Sequence, residues 1–176
     1  MNHRFTYDQA QRYGVLRKAA AGRLRILDVG GAAPDPAGGG FWLPLKEEFV
    51  AANPEGRTRD IPYCISLDVV DCREPGFVRG AGHKLPFKDG AFDLVSALDV
   101  LEHVPAPNRG AFLSEMARVS SDLVVVSCPV KGTTAEKAEE VVAREVERRL
   151  GVRHAQLDEH LERGLPEAEE VGRAIA

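Results

Sequence analysis

Leu85 to Pro105 reads LPFKDGAFDLVSALDVLEHVP. Inside it, FDLVSAL (Phe92 to Leu98) is an apolar, β-compatible run entered through the turn Lys88-Asp89-Gly90. Asp99 follows at once. Asn108 to Arg118 then takes helical spacing, which predicts Phe112, Leu113, Met116 and Ala117 on its inner face. DLVVVSC, Asp122 to Cys128, returns to strand character and is apolar nearly throughout, as a central parallel strand covered on both faces would be. Strand, helix and strand at these lengths require a crossover connection, so the two strands pair in parallel and the crossover is right-handed.

The same alternation extends in both directions. Upstream, RILDV (Arg25 to Val29) is a short buried-type strand that runs into Gly30 and Gly31. A glycine- and proline-rich stretch, AAPDPAGGG (Ala32 to Gly40), is expected as an irregular loop. Trp42 to Ala52 is read as a helix with Leu45, Phe49 and Ala52 on one face, Pro44 in its first turn and Asn53-Pro54 as its stop. Tyr63 to Leu67 is a second strand, closed by Asp68, and Phe77-Val78 a short third before Gly80. The first 23 residues are expected to be helical, with Val15, Leu16, Ala19 and Ala20 together and Phe5, Tyr7 and Tyr13 near the start. Such a helix covers a sheet edge or closes a pocket. Downstream, Thr133 to Leu150 is a helix expected to open with a Thr133/Glu136 capping box. Its apolar stripe is Ala135, Ala138, Val142, Val146 and Leu150, its i,i+4 pairs are Glu140–Arg144 and Glu145–Arg149, and Gly151 stops it. His154 to Ala176 reads as one or two short helices around Gly164-Leu165-Pro166.

Strands alternating with helices predict an α/β fold: a doubly wound, mostly parallel sheet of about five strands with helices on both faces. The 176 residues and 19.1 kDa fit one domain. It divides into an N-terminal helix (1–23), a core (24–130) and C-terminal helices (131–176). In such sheets ligands lie beyond the carboxyl ends of the strands, so Gly30, Asp68, Gly80 to Gly82, Asp99 and Pro129 are the positions of interest.

Composition narrows the function. The net charge is −4 and the pI about 5.8, against the pI above about 9 of a duplex-binding domain, so no nucleic-acid partner is expected. Neither a signal-peptide core nor a run of 18 apolar residues occurs, which leads to the expectation of a cytoplasmic protein without a membrane partner. Cys64, Cys72 and Cys128 form no C-x-x-C pair and read as free thiols. Gly30 is followed by Gly31, Ala32, Ala33, Pro34 and Asp35, so the G-x-G-x-x-G of dinucleotide folds is absent. Asp68 also lies far beyond the usual acidic position. No G-K-[ST] loop occurs. Glu102-His103 lacks a second histidine at helical spacing, so no metal is expected.

As a set, these motifs resemble the class I S-adenosylmethionine-dependent methyltransferases, in particular the broad small-molecule group that includes quinone-biosynthesis enzymes. Leu85, Pro86, Phe87, Asp89, Phe92, Asp93 and Val95 stand in the register of its L-P-F-x-D-x-x-F-D-x-V pattern. D-V-L-E-H-V follows at Asp99 to Val104, and Arg109, Phe112, Leu113, Glu115, Arg118 and Val119 match the next helix. The resemblance covers about Arg25 to Pro129. It implies S-adenosylmethionine as cofactor and a small-molecule methyl acceptor. Gly30 and Gly31 would line the methionine part, Asp28 would orient that loop or the ligand's amine, and Asp68 would hold the ribose hydroxyls. Ala81 and Gly82 would lie near the adenine, and Asp99 beside the methionine end. Leu85-Pro86-Phe87 and Glu102-His103 are expected to be structural, and no catalytic base is identified. The acceptor pocket would draw on the N-terminal helix and the C-terminal part. Three departures stand out. Ala32 replaces the second glycine of G-x-G, Ala81 replaces an adenine-binding acid, and no final antiparallel hairpin is patterned in His154 to Ala176. The chain is therefore also read as a shortened, inactive methyltransferase-like binding module, with the fifth strand as an exposed edge suited to a homodimer unless the tail covers it.

Overall fold

The structure is a computed structural model and describes residues 7–35, 38–51, 62–153 and 155–174. Five parallel strands form its sheet: β1 (Arg25–Val29), β4 (Tyr63–Asp68), β5 (Phe77–Arg79), β6 (Phe92–Leu98) and β7 (Ser120–Ser127), in the order β5-β4-β1-β6-β7. The order reverses between β1 and β6, which places the switch point, and so the ligand crevice, beyond the ends of these two strands. A small antiparallel pair, β2 (Ala33–Pro34) with β3 (Phe41–Trp42), stands apart. The stretch expected as a plain loop thus closes on itself as a hairpin. Its Pro36 and Ala37 lie outside the described residues, as do Phe5, Asn53-Pro54 and His154.

The apolar strands alternate between two faces. Leu27, Val29, Ile65, Leu67, Val95 and Ala97 pack against Phe112, Leu113, Met116 and Val119 of α3 (Ala106–Val119). Ile26 and Leu94 face the other way, against Tyr13, Leu16 and Ala20 at α1 (Tyr7–Ala19) and Leu45 and Phe49 of α2 (Pro44–Ala51). Pro44 opens α2 as expected. Two inner-face assignments are corrected. Val15 is 65% exposed because Tyr13, two residues before it and so on the opposite side of the helix, takes the sheet side, and Ala117 points to solvent beside the buried Met116.

Asp93 and the Glu115–Arg118 pair hold this frame. Asp93 Oδ2 accepts the Leu24 and Arg25 amides, both at 3.0 Å, which fastens the start of β1 to β6. Arg25 beside it holds the Asp93 carboxyl down at about 2. Glu115 Oε2 accepts the Leu85 amide at 2.7 Å. Arg118 donates to the Leu85 and Phe87 carbonyls at 3.1 and 2.9 Å. Leu85-Pro86-Phe87 is structural in this sense, a loop pinned from both sides by α3.

Beyond β7 the packing thins. β7 pairs only with β6 among the described residues and is half-buried, so its reading as a fully covered central strand is corrected: it is an edge. The described tail helices pack mainly elsewhere. α5 (Ala155–Arg163) packs on the short 3-10 turn Leu101–His103, and α6 (Ala168–Ala174) on α3. α4 (Thr134–Leu150) has no buried residue, and Val142 and Leu150 of its predicted stripe are exposed. Its capping box is also shifted: Glu136 accepts the Gly132 amide, and the Thr133 hydroxyl donates to the Val130 carbonyl. Both predicted ion pairs form, and Gly151 ends the helix in the left-handed region, where a residue without Cβ is favoured.

Candidate functional site

At the carboxyl ends of β1, β4 and β6 lies a cavity of about 490 Å³. Gly30, Asp68, Ala81, Gly82 and Asp99 all line it, with Val29, Leu67, Val100 and Phe112 as apolar walls. The size is within the roughly 300–1,000 Å³ of small-molecule sites. Gly30 turns at φ 74°, and a Cβ there would overlap Val100. A Cβ on Gly82 would overlap the Phe112 ring, which forms the floor. Asp68 Oδ1 accepts the Val69 and Val70 amides at 2.6 and 3.4 Å. Its Oδ2 accepts the Ala32 amide at 3.3 Å, tying the end of β4 to the glycine loop of β1. A carboxylate offers about four acceptor positions, so Asp68 retains capacity for a ligand hydroxyl. Asp99 sits in the left-handed region at φ 54°, a conformation aspartate tolerates better than most residues. Its carboxylate pairs with Arg12 and accepts the Ser127 hydroxyl.

Asp28 and Gly31 lie elsewhere. Strand alternation puts Asp28 on the Ile26 face, under α1, while the cavity opens toward the α3 side beyond Val29. Asp28 is 1% exposed and lines neither cavity described here. The Ser96 hydroxyl donates to its Oδ1 at 2.7 Å, and Tyr13 stands against it. Burial pushes the Asp28 carboxyl up to about 7. The same burial, with Asp28 adjacent, raises the Tyr13 hydroxyl. Gly31 is buried directly over Asp28, and any Cβ there would overlap its carboxyl. Of the two roles offered for Asp28, the geometry supports orienting the loop rather than meeting a ligand. Gly31 serves the same packing.

A second cavity of about 310 Å³ adjoins the first through Gly30, Asp99 and His103. Gln9, Arg12 and Tyr13 of α1 line it, with Ala32, Glu102, Pro129, Glu139, Leu157 and His160. The N-terminal helix and the C-terminal helices therefore both reach the crevice. Ala32 belongs to this second space, so its Cβ does not intrude on the first. Glu102-His103, expected to be structural only, lines it too. His160, 57 positions on, brings its Nε2 to 3.3 Å from His103 Nε2. The absence of a second histidine at helical spacing was thus no guide, because the partner arrives from another helix. Arg163 and Phe112 also line the first cavity without a local sequence signal. Phe112 reads as core from its spacing, and Arg163 reaches the site only through the packing of α5.

The donor set of the first cavity fits an adenosyl ligand: a carboxylate at the end of the second parallel strand, a glycine turn at the end of the first, and apolar walls. Residues 62–125 match the methyltransferase domain family. No curated protein is similar to this sequence. Solved structures share the fold. A possible histamine N-methyltransferase from Thermotoga maritima superposes with TM-score 0.60 at 13% identity, over 96% of this chain and 69% of that one. The YcgJ protein from Bacillus subtilis gives 0.54 at 19% identity, over 93% and 65%. Magnesium protoporphyrin IX methyltransferase from Synechocystis PCC 6803, solved with bound S-adenosylhomocysteine, gives 0.52 at 16%, over 88% and 71%. The chain spans about two thirds of the length of these structures. No described helix is long and apolar enough to cross a membrane. The match over residues 62–125 gives that segment as a methyltransferase domain, and the β5-β4-β1-β6-β7 parallel sheet with a cavity at its switch point is the fold shared with these solved methyltransferase structures.

Proposed function

We propose that the chain binds S-adenosylmethionine in the 490 Å³ cavity and transfers its methyl group to a small molecule held in the adjoining 310 Å³ cavity. One observation carries this reading: Asp68 stands on the same cavity as the Gly30 turn, with its carboxylate fixed by three backbone amides. Asp68 accepts the ribose hydroxyls, and Gly30 lets the main chain approach the methionine portion. Ala81 and Gly82 offer backbone to the adenine in place of the missing acid, beside the Phe112 ring. The cofactor supplies a methyl group activated by its sulfonium charge. The chain's part is to align two reactants across the Gly30–Asp99–His103 boundary and to keep water out. Arg12, paired with Asp99, spans that boundary from α1.

Labelled methyl transfer from S-adenosylmethionine to a panel of phenols, amines and carboxylic acids tests the proposal. A labelled small-molecule product supports it. Cofactor binding without transfer to any of them favours the inactive binding module, a reading the departures at Ala32 and Ala81 motivate.

A further inference from the structure

The floor of the second cavity gathers Glu102 and His103 from the 3-10 turn and His160 from α5. One ligand atom from each lies within 4.8 Å of the others. The two imidazoles are ordered alike. His103 Nδ1 is 2.7 Å from Glu159 Oε2, and His160 Nδ1 is 3.0 Å from Glu139 Oε2. Each Nδ1–H donates to its carboxylate, which leaves a lone pair on each Nε2. Those two nitrogens face each other at 3.3 Å, closer than the 4.6 Å between ring centres, so the lone pairs lean together. Two facing lone pairs repel unless a cation or a proton lies between them.

We propose that Glu102, His103 and His160 form a site for a divalent transition metal of the zinc type, with its open position toward the second cavity. Two metal–nitrogen bonds of about 2.0–2.1 Å at a tetrahedral angle place their nitrogens about 3.3–3.4 Å apart, the separation found here. Carboxylates on the far ring nitrogens are the usual outer partners of metal-bound histidines, since they fix the tautomer and raise ligand basicity. Glu102 supplies the independent observation. It is 1% exposed, and its Oε2 is buried with no hydrogen-bond partner among the described residues. A buried carboxylate oxygen without a partner is costly, and a cation beside it removes the cost. Two imidazoles and a carboxylate suit zinc and its first-row neighbours better than magnesium or calcium. Asp99, Glu139 and Glu159 add negative charge around the group, offset by Arg12 on Asp99 and Arg163 on Glu159. The inference concerns binding and holds whether or not the chain transfers methyl groups.

The test uses the full chain, stripped with a chelator and titrated with Co²⁺, then with Zn²⁺ in competition. One equivalent of Co²⁺ is expected to give the visible bands of a four-coordinate nitrogen–oxygen site, and Zn²⁺ to remove them. His160→Gln and Glu102→Gln should each abolish the bands. Glu139→Gln, one shell out, should weaken the affinity about 10–100-fold. Circular dichroism establishes that each variant is folded, and His103→Gln replaces any that is not. A folded parent chain without bands at millimolar Co²⁺ would overturn the proposal, and a proton shared between the rings would then explain their approach. Bands that persist unchanged in folded His160→Gln would overturn it equally.

Discussion

The sheet and the helices after it are built on different physics. From Arg25 to Ser127, strands alternate apolar residues between two covered faces, and the loops are pinned by buried or bidentate polar groups such as Asp93 and Arg118. From Lys131 to Ala174, α4 has no fully buried residue. The tail is anchored by the buried Leu165 and by Val171 against the core, and otherwise by polar contacts: Lys131–Glu167, His160–Glu139, and the Arg109 guanidinium on the Arg163 and Gly164 carbonyls. Exposed ion pairs contribute little each, about 0–1 kcal/mol. The sheet therefore sets the 490 Å³ cavity. The tail, which brings His160 and Leu157 to the second cavity, is the part whose position is cheap to change.

Four substitutions bear on that contrast, from the largest effect to the smallest. Leu113→Ala opens a hole at a wholly buried position between α3 and the sheet and should lower global stability by about 2–5 kcal/mol, read by denaturant unfolding. A loss below 1 kcal/mol would mean the sheet core is looser than described. Arg109→Ala leaves the Val104, Arg163 and Gly164 carbonyls without their donor and should cost about 1–3 kcal/mol. Limited proteolysis should then cut within residues 131–174 first. Cleavage starting in the sheet would break the comparison.

Asp28→Asn acts through pH. The folded-state carboxyl titrates near 7, above its ordinary 3.8, so the folded protein holds a proton the unfolded chain releases. This contribution is present in full below about pH 3.8 and lost as pH rises toward 7. The asparagine variant should therefore gain melting temperature relative to the parent as pH climbs through that window. A constant difference would show that Asp28 is not buried as a neutral acid. Val142→Ala, on the exposed side of α4, should change stability by less than about 0.5 kcal/mol. A larger loss would reveal something packed on that helix.

The same contrast explains what the sequence made legible. Apolar runs bounded by turn residues mark all five parallel strands, and helical spacing marks α3, because most of these elements bury apolar residues in the core. The positions of Gly30, Asp68, Ala81, Gly82 and Asp99 on one cavity followed from their places at strand ends. Asp28 was one residue out of phase: alternation alone sends it beneath α1, yet its place in the motif suggested the ligand. The stripe on α4 has strong periodicity, yet Val142 and Leu150 stay exposed and α5 meets the helix on its Glu139–Ala143 side instead, since pattern reports what a helix could bury and not what meets it. His160 carries no local signal at all. Its meeting with His103 depends on the long-range docking of α5.

Calorimetric titration of the chain with S-adenosylhomocysteine, beside Asp68→Ala, tests the central claim most directly. Micromolar binding by the parent, weakened about 10–100-fold in a variant that remains folded by circular dichroism, is the predicted result, because a hydrogen bond to a charged group contributes about 1.5–3 kcal/mol. No heat from the folded parent at millimolar ligand, or equal binding by parent and variant, would contradict it.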